Sequence, residues 1–377
     1  MKARWLVLSF LFGAFVLGSG RSGAQSQNVT ITPLGAAAGE FCVGDRALLF
    51  EDPTGVRILI APGRTVNGSG DPRLPNPADP SGGVHVLLID HPHVDHIGDV
   101  FHANCAGTTT IPFAFPSSGN APELASVHKS AVLVGGEQPA FFTQKIKDIT
   151  GTAPGSCPVT VTGLNNIVTV PRTSPCIGTI RGGTLTVAFS GHTEGVRITT
   201  IPAFHSAGAS PIHVDSLDGI PGPGIAPGLT GYAGSETGYI IRFTNGLTVL
   251  WTGDSGLIGD WETLSEFYKP NLAVVHMDGI FTMGPDEAAF AVNRLIKPHT
   301  VIPEHSNQVS TSGGAVIPGT RVERFIDRVR HARVVVPLSG KPISCDGEGH
   351  CTGAGSNDHD RDSDQNQSPE RNGTARR

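Results

Sequence analysis

The amino-acid sequence predicts a mixed α/β fold in which strands outnumber helices. Short apolar runs rich in β-branched residues recur along the chain, whereas segments with helical periodicity are few. The 377 residues include 49 Gly and 29 Pro but only 6% aromatic residues. This composition is typical of many turns and a loop-rich surface rather than of a helical bundle.

The chain opens with the pattern of a signal peptide. Lys2 and Arg4 precede an apolar run from Trp5 to Leu17, and small or polar residues follow as far as Ala24. We therefore predict a leader at 1–24, with an uncleaved N-terminal anchor as the alternative. No later apolar stretch reaches membrane-spanning length, so we expect a secreted or periplasmic protein without stable membrane insertion.

The cysteines agree with export. All six lie after the predicted cleavage site, and an even number suits an oxidising compartment. None stands in a C-x-x-C pair, so a zinc ribbon is not expected. Among several pairings that remain open, the spacing favours Cys345 with Cys351, Cys157 with Cys176, and Cys42 with Cys105.

The rest of the chain divides into strands, two helices and three long loops. Strands are predicted at 47–50, 56–60, 84–89, 196–201, 238–243, 247–251, 274–276 and 301–305, and helices at 140–149 and from Pro285 to Pro298. Loops are expected at 63–83, at a disulfide-pinned insertion 151–182, and at 207–236. We predict one domain over 25–351 and a disordered polar tail over 352–377, which has nothing apolar to bury.

A dense group of potential metal ligands follows the strand at 84–89. His91, His93, Asp95 and His96 fall within six positions, and so short a segment cannot supply partners to three buried imidazoles. In an extended segment His91 and His93 point the same way and could bind one ion. Asp95 and His96, which the turn displaces, would face a second ion.

Three further residues stand where an apolar strand ends. They are His205, Asp254 and His305. Strand-end loops commonly gather metal ligands, because strands fix the positions and loops bring side chains together. Five histidines and two carboxylates are too many for one tetrahedral zinc and suit two ions that share a bridging ligand.

These motifs resemble the metallo-β-lactamase superfamily, whose signature is H-x-H-x-D-H followed by single His, Asp and His residues. More narrowly, the chain resembles the branch of ascorbate-6-phosphate lactonase-like hydrolases. It shares the branch motifs Pro-Ala-x-His-Ser at 202–206, Thr-Gly-Asp at 252–254, Phe-Thr-Met-Gly-Pro-x-Glu-Ala at 281–288 and Ile-Pro-x-His at 302–305. The resemblance spans roughly 40–310 and implies a four-layer αββα sandwich.

The resemblance also implies how the ligands divide. His91, His93 and His205 would bind the first ion, Asp95, His96 and His305 the second, and Asp254 would bridge the two. Two divalent ions are expected, zinc first because of the many imidazoles, with manganese or iron as alternatives. His192 and His213 are weaker rivals of His205, because neither ends an apolar strand followed by Ser.

Several positions depart from the pattern of the branch. Asp90 precedes the cluster where the family often has Thr, and it is a candidate partner for a ligand histidine. Ala61 stands in a strand end that often reads Asp-Pro, and Glu304 replaces a common Met. His276 and Asp278 border the expected pocket, where ordinary structural roles are slightly favoured.

The activity that the sequence predicts is hydrolysis by metal-activated water. The substrate would be a small molecule with an ester, lactone, amide or phosphoester bond, and Asp95 and Asp254 are the candidate catalytic residues. Retention of the bridging Asp disfavours true β-lactam hydrolysis. The formal net charge of −6 and the lack of a basic cluster make a nucleic-acid substrate unexpected. A diiron oxidoreductase or a non-catalytic metal-binding protein are the alternatives.

Overall fold

A computed structural model describes residues 27–353 and 355, except for 99, 108–109, 113–119, 136–137, 207, 210–230 and 233–235. The predicted leader at 1–24 and most of the predicted tail lie outside these residues. The described strands are, in chain order, β1 Val29–Pro33, β2 Leu48–Glu51, β3 Arg57–Ile60, β4 Val86–Ile89, β5 Val100–His102, β6 Thr110–Pro112, β7 Ala131–Val134, β8 Gly155–Ser156, β9 Val159–Thr162, β10 Asn165–Val170, β11 Cys176–Thr179, β12 Thr184–Phe189, β13 Val196–Pro202, β14 Gly208–Ala209, β15 Gly231–Tyr232, β16 Thr237–Arg242, β17 Thr248–Trp251, β18 Leu272–His276, β19 Thr300–Glu304, β20 Thr311–Ser312, β21 Ala315–Val316, β22 Arg333–Val334, β23 Ile343–Cys345 and β24 Cys351–Thr352.

The described helices are fewer than the strands. They are α1 Val94–Ile97, α2 Asn120–His128, α3 Pro139–Thr150, α4 Asp260–Tyr268, α5 Pro285–Phe290 and α6 Arg321–Arg328, with a 3₁₀ turn at Gly68–Gly70 and a π-helical turn at Ala291–Ile296. The predicted helix at 140–149 is confirmed as α3. The helix predicted from Pro285 to Pro298 begins as α5, with Pro285 in its first turn, and continues as the π-helical turn.

Two nine-stranded sheets form the centre of the fold. The first has the order β24-β23-β1-β2-β3-β4-β7-β11-β8, and the second has the order β22-β19-β18-β17-β16-β13-β12-β10-β9. In the first sheet β3, β4 and β7 are parallel, and in the second β17, β18 and β19 are parallel. The carboxyl ends of β4, β17 and β19 carry the loops in which all the candidate ligands except His205 stand, and His205 follows β13.

The buried apolar side chains form three hydrophobic cores. The central core joins the inner faces of the two sheets, with Leu88 and Leu133 from the first and Trp251 and Ile302 from the second. A second core lies between the outer face of the second sheet and α4 to α6. A third lies between the first sheet and α2 and α3. This is the expected αββα sandwich, because each sheet can bury both faces only with helices outside.

The segment 151–182 is more regular than predicted. Its composition suggested an irregular insertion, yet it forms β8 and β11 at the edge of the first sheet and β9 and β10 at the edge of the second. The disulfide between Cys157 and Cys176 lies within it. Its alternating Thr and Val residues are the β signal that its Gly and Pro residues obscure.

The other two favoured cysteine pairs are also present. The structure places a disulfide between Cys42 and Cys105 and another between Cys345 and Cys351. Within the described ranges no helix is long and apolar enough to cross a membrane.

Candidate metal centre

The first four candidate ligands follow β4 in the first sheet. After Ile89 the chain turns at Pro92 and forms the single helical turn α1, which Gly98 ends with a φ of 82°. His91 and His93 precede this turn, and Asp95 and His96 lie within it. The change from extended to helical backbone gives the two pairs different directions, as the sequence suggested.

A glycine beneath the turn lets another loop approach closely. Gly63 has a φ of +45°, and a Cβ atom there would lie 2.2 Å from the backbone oxygen of Asp95. Its amide also donates a hydrogen bond to the carbonyl oxygen of His96 at 2.9 Å. The strand end that reads Ala61-Pro62-Gly63 therefore supports α1 through its backbone rather than through a side chain.

The remaining ligands come from the second sheet. His205 follows β13, Asp254 follows β17 and His305 follows β19. The two sheets are joined at this edge, since the amide of Thr237 donates to the carbonyl oxygen of Asp90 at 3.1 Å. The hydroxyl of Tyr239 donates to the carbonyl oxygen of Ile89.

His91, His93 and His205 form one group, called here the first trio. The Nε2 atom of His91 lies 2.9 Å from Nδ1 of His93. The Nε2 atom of His205 lies 3.4 Å from that same Nδ1 atom. All three rings thus present one nitrogen to a common point, an arrangement that could hold a metal ion.

Asp95, His96 and His305 form the second trio. The Oδ2 atom of Asp95 lies 3.8 Å from Nε2 of His96 and 3.6 Å from Nε2 of His305. These three ligand atoms also converge closely enough for one ion.

The carboxylate of Asp254 lies between the trios. Its Oδ2 atom is 3.7 Å from Nε2 of both His91 and His205. The same oxygen is 3.3 Å from Nε2 of His96 and 3.2 Å from Nε2 of His305. One carboxylate oxygen therefore faces both groups.

Buried nitrogen atoms without partners test whether cations fit here. Among the described side chains, Nε2 of His96 and Nε2 of His305 are buried and accept or donate no hydrogen bond. An unpaired buried polar atom is costly, and both atoms point toward carboxylates. Imidazole nitrogens with carboxylate oxygens are the ligands that zinc, manganese and iron use. The residues fit divalent metal ions.

The pKa shifts follow from burial and from this mixture of charges. Burial alone would lower the pKa of His96, but the carboxylates of Asp90 and Asp254 raise it to about 10. Burial would raise the pKa of Asp254, yet His305 and His96 hold it well below its ordinary value. In the first trio, burial and the charge of His91 lower the pKa of His93 to about 4.

Three side chains hold the ligands in place. The Oδ1 atom of Asp90 lies 3.2 Å from Nδ1 of His91 and 3.0 Å from Nδ1 of His96, which confirms the expected partner role. Nδ1 of His276 lies 2.8 Å from Oδ1 of Asp254. Oδ2 of Asp278 lies 3.4 Å from Nδ1 of His305. His276 and Asp278 thus contact ligands, although the sequence slightly favoured ordinary structural roles for them.

Arg46 also neighbours the site, although no sequence pattern singled it out. Its guanidinium is buried and donates to Oδ2 of Asp95 at 2.8 Å, and also to Oδ1 of Asn307 at 2.8 Å. It lies near two buried carboxyls: burial raises the pKa of Asp45 to about 6 and that of Glu304 well above its ordinary value, and Arg46 opposes both shifts. A lone Arg after a Gly-Asp turn carries no sequence signal of this position.

Of the two rival histidines, His192 is the one that the described residues include. His192 is exposed in the turn after β12. His213 lies outside the described residues.

Comparisons with known proteins agree with this geometry. Residues 56–306, more than half of the chain, match the family model of the beta-lactamase superfamily domain. A UPF0173 metal-dependent hydrolase of Polynucleobacter asymbioticus is 27% identical over 322 residues, which cover 84% of this chain and 90% of that protein. Another from Cupriavidus necator is 28% identical over 273 residues, which cover 72% and 75%.

Among solved structures, the metallo hydrolase Igni18 of Ignicoccus hospitalis aligns with a TM-score of 0.48 and 18% identity, covering 84% of this chain and 98% of that one. The match to the family model, together with the αββα layers and the order of the ligands along the chain, shows that this protein belongs to the metallo-β-lactamase superfamily.

Proposed function

We propose that this protein is an exported hydrolase with two divalent metal ions that activate water for attack on an ester, lactone, amide or phosphoester. The observation that carries the proposal is the position of Asp254. Its Oδ2 atom lies within 3.7 Å of the ligand nitrogens of both trios. A carboxylate in that position suits a bridge between two ions and has little reason to be buried otherwise.

Bound divalent ions would supply a water of lowered pKa and a Lewis acid for the substrate carbonyl or phosphoryl oxygen. The residues of this chain would orient those partners. Asp254 is held through its other oxygen by His276, so Oδ2 stays directed at the space between the trios. Asp95 is partly exposed and has one oxygen bound by Arg46, which leaves it placed to pass a proton to the leaving group.

Export is part of the proposal. The three disulfides support an oxidising compartment, and the leader-like sequence at 1–24 supplies a route. Expression of the full chain in a bacterial host tests this. We expect periplasmic or extracellular protein, and its intact mass should equal that of the chain starting at Gln25. Cytoplasmic protein of full-length mass would contradict export.

The hydrolytic activity is tested by a substrate screen. Protein loaded with zinc or with manganese is offered lactones, carboxyl esters, phosphodiesters and β-lactams, and its metal content is measured. We expect two metal equivalents and hydrolysis of at least one of the first three classes. Two bound ions with no hydrolysis would favour the non-catalytic metal-binding alternative.

The same preparations test the diiron alternative. A diiron oxidoreductase would bind iron and consume oxygen in the presence of a reductant. We expect no oxygen consumption above that of protein stripped by a chelator.

A further inference from the structure

Four large apolar side chains are exposed around the metal centre. Phe204 is 73% exposed, Leu257 43%, Ile280 76% and Phe281 59%. Together they are called here the apolar rim. Exposed groups of this size are costly in water, and when several stand together they mark a binding surface.

Backbone hydrogen bonds join the loops that carry the rim. The amide of Gly256 donates to the carbonyl oxygen of Phe204 at 2.9 Å, and that of Met283 donates to Ser255 at 3.1 Å. The hydroxyl of Ser255 also accepts from the amide of Phe204 at 3.0 Å. These hydrogen bonds hold the three loops next to one another.

The rim is also fixed to the metal ligands. Phe204 directly precedes His205, and Leu257 lies three residues after Asp254. The amides of Ile280 and Phe281 both donate to Oδ1 of Asp278 at 2.8 Å. The other oxygen of Asp278 faces His305. Each rim loop is thus connected to a candidate ligand, either along the backbone or through Asp278.

The loops that carry the rim have no acidic side chain and no Lys or Arg with which to bind a charged substrate. The segments 203–206, 255–258 and 279–283 contain no Lys, Arg, Asp or Glu. Recognition of phosphate commonly uses Arg or Lys side chains, and the buried Arg46 is already engaged with Asp95 and Asn307. An uncharged apolar group has the matching chemistry.

We propose that the apolar rim binds the hydrophobic acyl or aryl portion of the substrate, so that the natural substrates are esters, lactones or amides of apolar acids. This rests on the proposed function, because the bond to be cleaved must reach the metal centre. Four side chains are too few for a stable protein interface, which needs about 800 Å² per partner, whereas they suit one short chain.

The test compares chain lengths and uses two readouts. Hydrolysis of p-nitrophenyl acetate, butyrate, hexanoate and octanoate gives kcat/KM for the metal-loaded enzyme. Calorimetric titration with sodium acetate and sodium octanoate gives affinity independently of turnover. We expect octanoate to exceed acetate at least about tenfold in both, since each buried methylene contributes up to about fourfold.

A double variant, Phe204→Ser with Ile280→Ser, removes the two most exposed of the four rim side chains. We expect the ratio of octanoate to acetate to fall below about threefold in both readouts. Phe267→Ser is the matched control, because Phe267 is 76% exposed and lines a cleft with Arg197 and Arg242 at the other end of the second sheet. It should keep the wild-type ratio.

The outcomes separate the two proposals. Hydrolysis with equal rates and equal affinities along the series would overturn the rim proposal and leave the hydrolase proposal intact. Absence of all hydrolysis would count against the hydrolase proposal. The calorimetric affinities for octanoate and acetate would still test whether the rim binds an apolar chain. If light scattering shows a wild-type dimer that the double variant converts to a monomer, with no change in octanoate affinity, the rim is a contact between copies and the proposal is wrong.

Discussion

The first trio and the second trio lie side by side, yet their surroundings differ. His91, His93 and His205 contact one another, and besides the shared Asp254 the carboxylate of Asp90 holds His91. The second trio contains the carboxylate of Asp95. It is held from behind by Asp90 at His96, by Asp278 at His305 and by Arg46 at Asp95.

The histidines of the two trios also differ in burial and in the direction of their pKa shifts. His93 and His205 are only partly buried, whereas His96 and His305 are fully buried. Burial lowers the pKa of His93 and of His205, whereas nearby carboxylates raise the pKa of His305 against the effects of burial and Arg46. We infer that the second trio is the more strongly preorganised cation site and the first trio the more exchangeable one.

Replacing Asp254, the residue that both trios share, should have the largest effect on metal content and activity. Asp254→Ala should lose both ions and lower kcat/KM by about a thousandfold or more, since the bridge serves both groups. Metal analysis and kinetics on the best substrate measure this. Asp286→Asn, at an exposed ion pair with Arg324, is the control. An Asp254→Ala protein with two bound ions and full activity would refute the bridging role of Asp254.

Single-trio variants should expose the difference between the sites. His205→Ala and His305→Ala should each bind one ion and lose about a hundredfold or more in activity. The ion left in His205→Ala, held by the second trio, should resist a dilute chelator for longer than the ion left in His305→Ala. Timed metal release decides this, and the reverse order would contradict the proposed asymmetry.

A smaller effect should follow from loosening one support. Asp278→Asn keeps an oxygen for the amides of Ile280 and Phe281 but can replace the acceptor that faces His305. We expect about a 10- to 100-fold loss of affinity for one ion only. Asp90→Asn should weaken both ions, because Asp90 contacts His91 and His96. Equal binding curves for these two variants would show that the supports are not specific to a trio.

The smallest effect is expected at Arg46. Arg46→Met leaves Asp95 without its ion pair and should change affinity for the second ion less than about tenfold. Asp95 and Asn307 are only partly buried, but both would lose a hydrogen bond from the buried guanidinium, so the free energy of unfolding should fall by about 1–3 kcal/mol. Arg324→Met, at an exposed pair, should change neither quantity measurably. A stable Arg46→Met protein would show that solvent replaces the guanidinium.

Much of the candidate site could be predicted because its candidate ligands stand in a local pattern. Four of them lie within six residues, and the others each end an apolar strand, so strand ends that meet at one sheet edge bring them together. Among the supporting contacts, that of Asp90 was expected because it directly precedes the cluster, whereas those of Arg46 and Asp278 could not be found in this way. Arg46 and Asp278 reach the ligands from loops distant in sequence, and nothing in their immediate neighbours marks that contact.

The fold was predictable to a similar extent. Strands with continuous apolar runs, such as 84–89, were located to within two residues. The segment 151–182 was misjudged because its strands lie at sheet edges. All four side chains of the outermost strand β9, Val159–Thr162, are exposed, so no buried apolar run marks this strand. Nearby Gly and Pro residues obscure its alternating Val and Thr residues.

The origin of the ligands in both sheets has a mechanical consequence. Four ligands leave β4 of the first sheet and three leave the second, so bound ions would fasten the sheets together at one edge. Removal of the ions should make local opening of that edge more frequent. The amides of Thr237 and Thr252, which bond to Asp90 and Val274 there, should then exchange their hydrogens faster, while amides in β2 keep their protection.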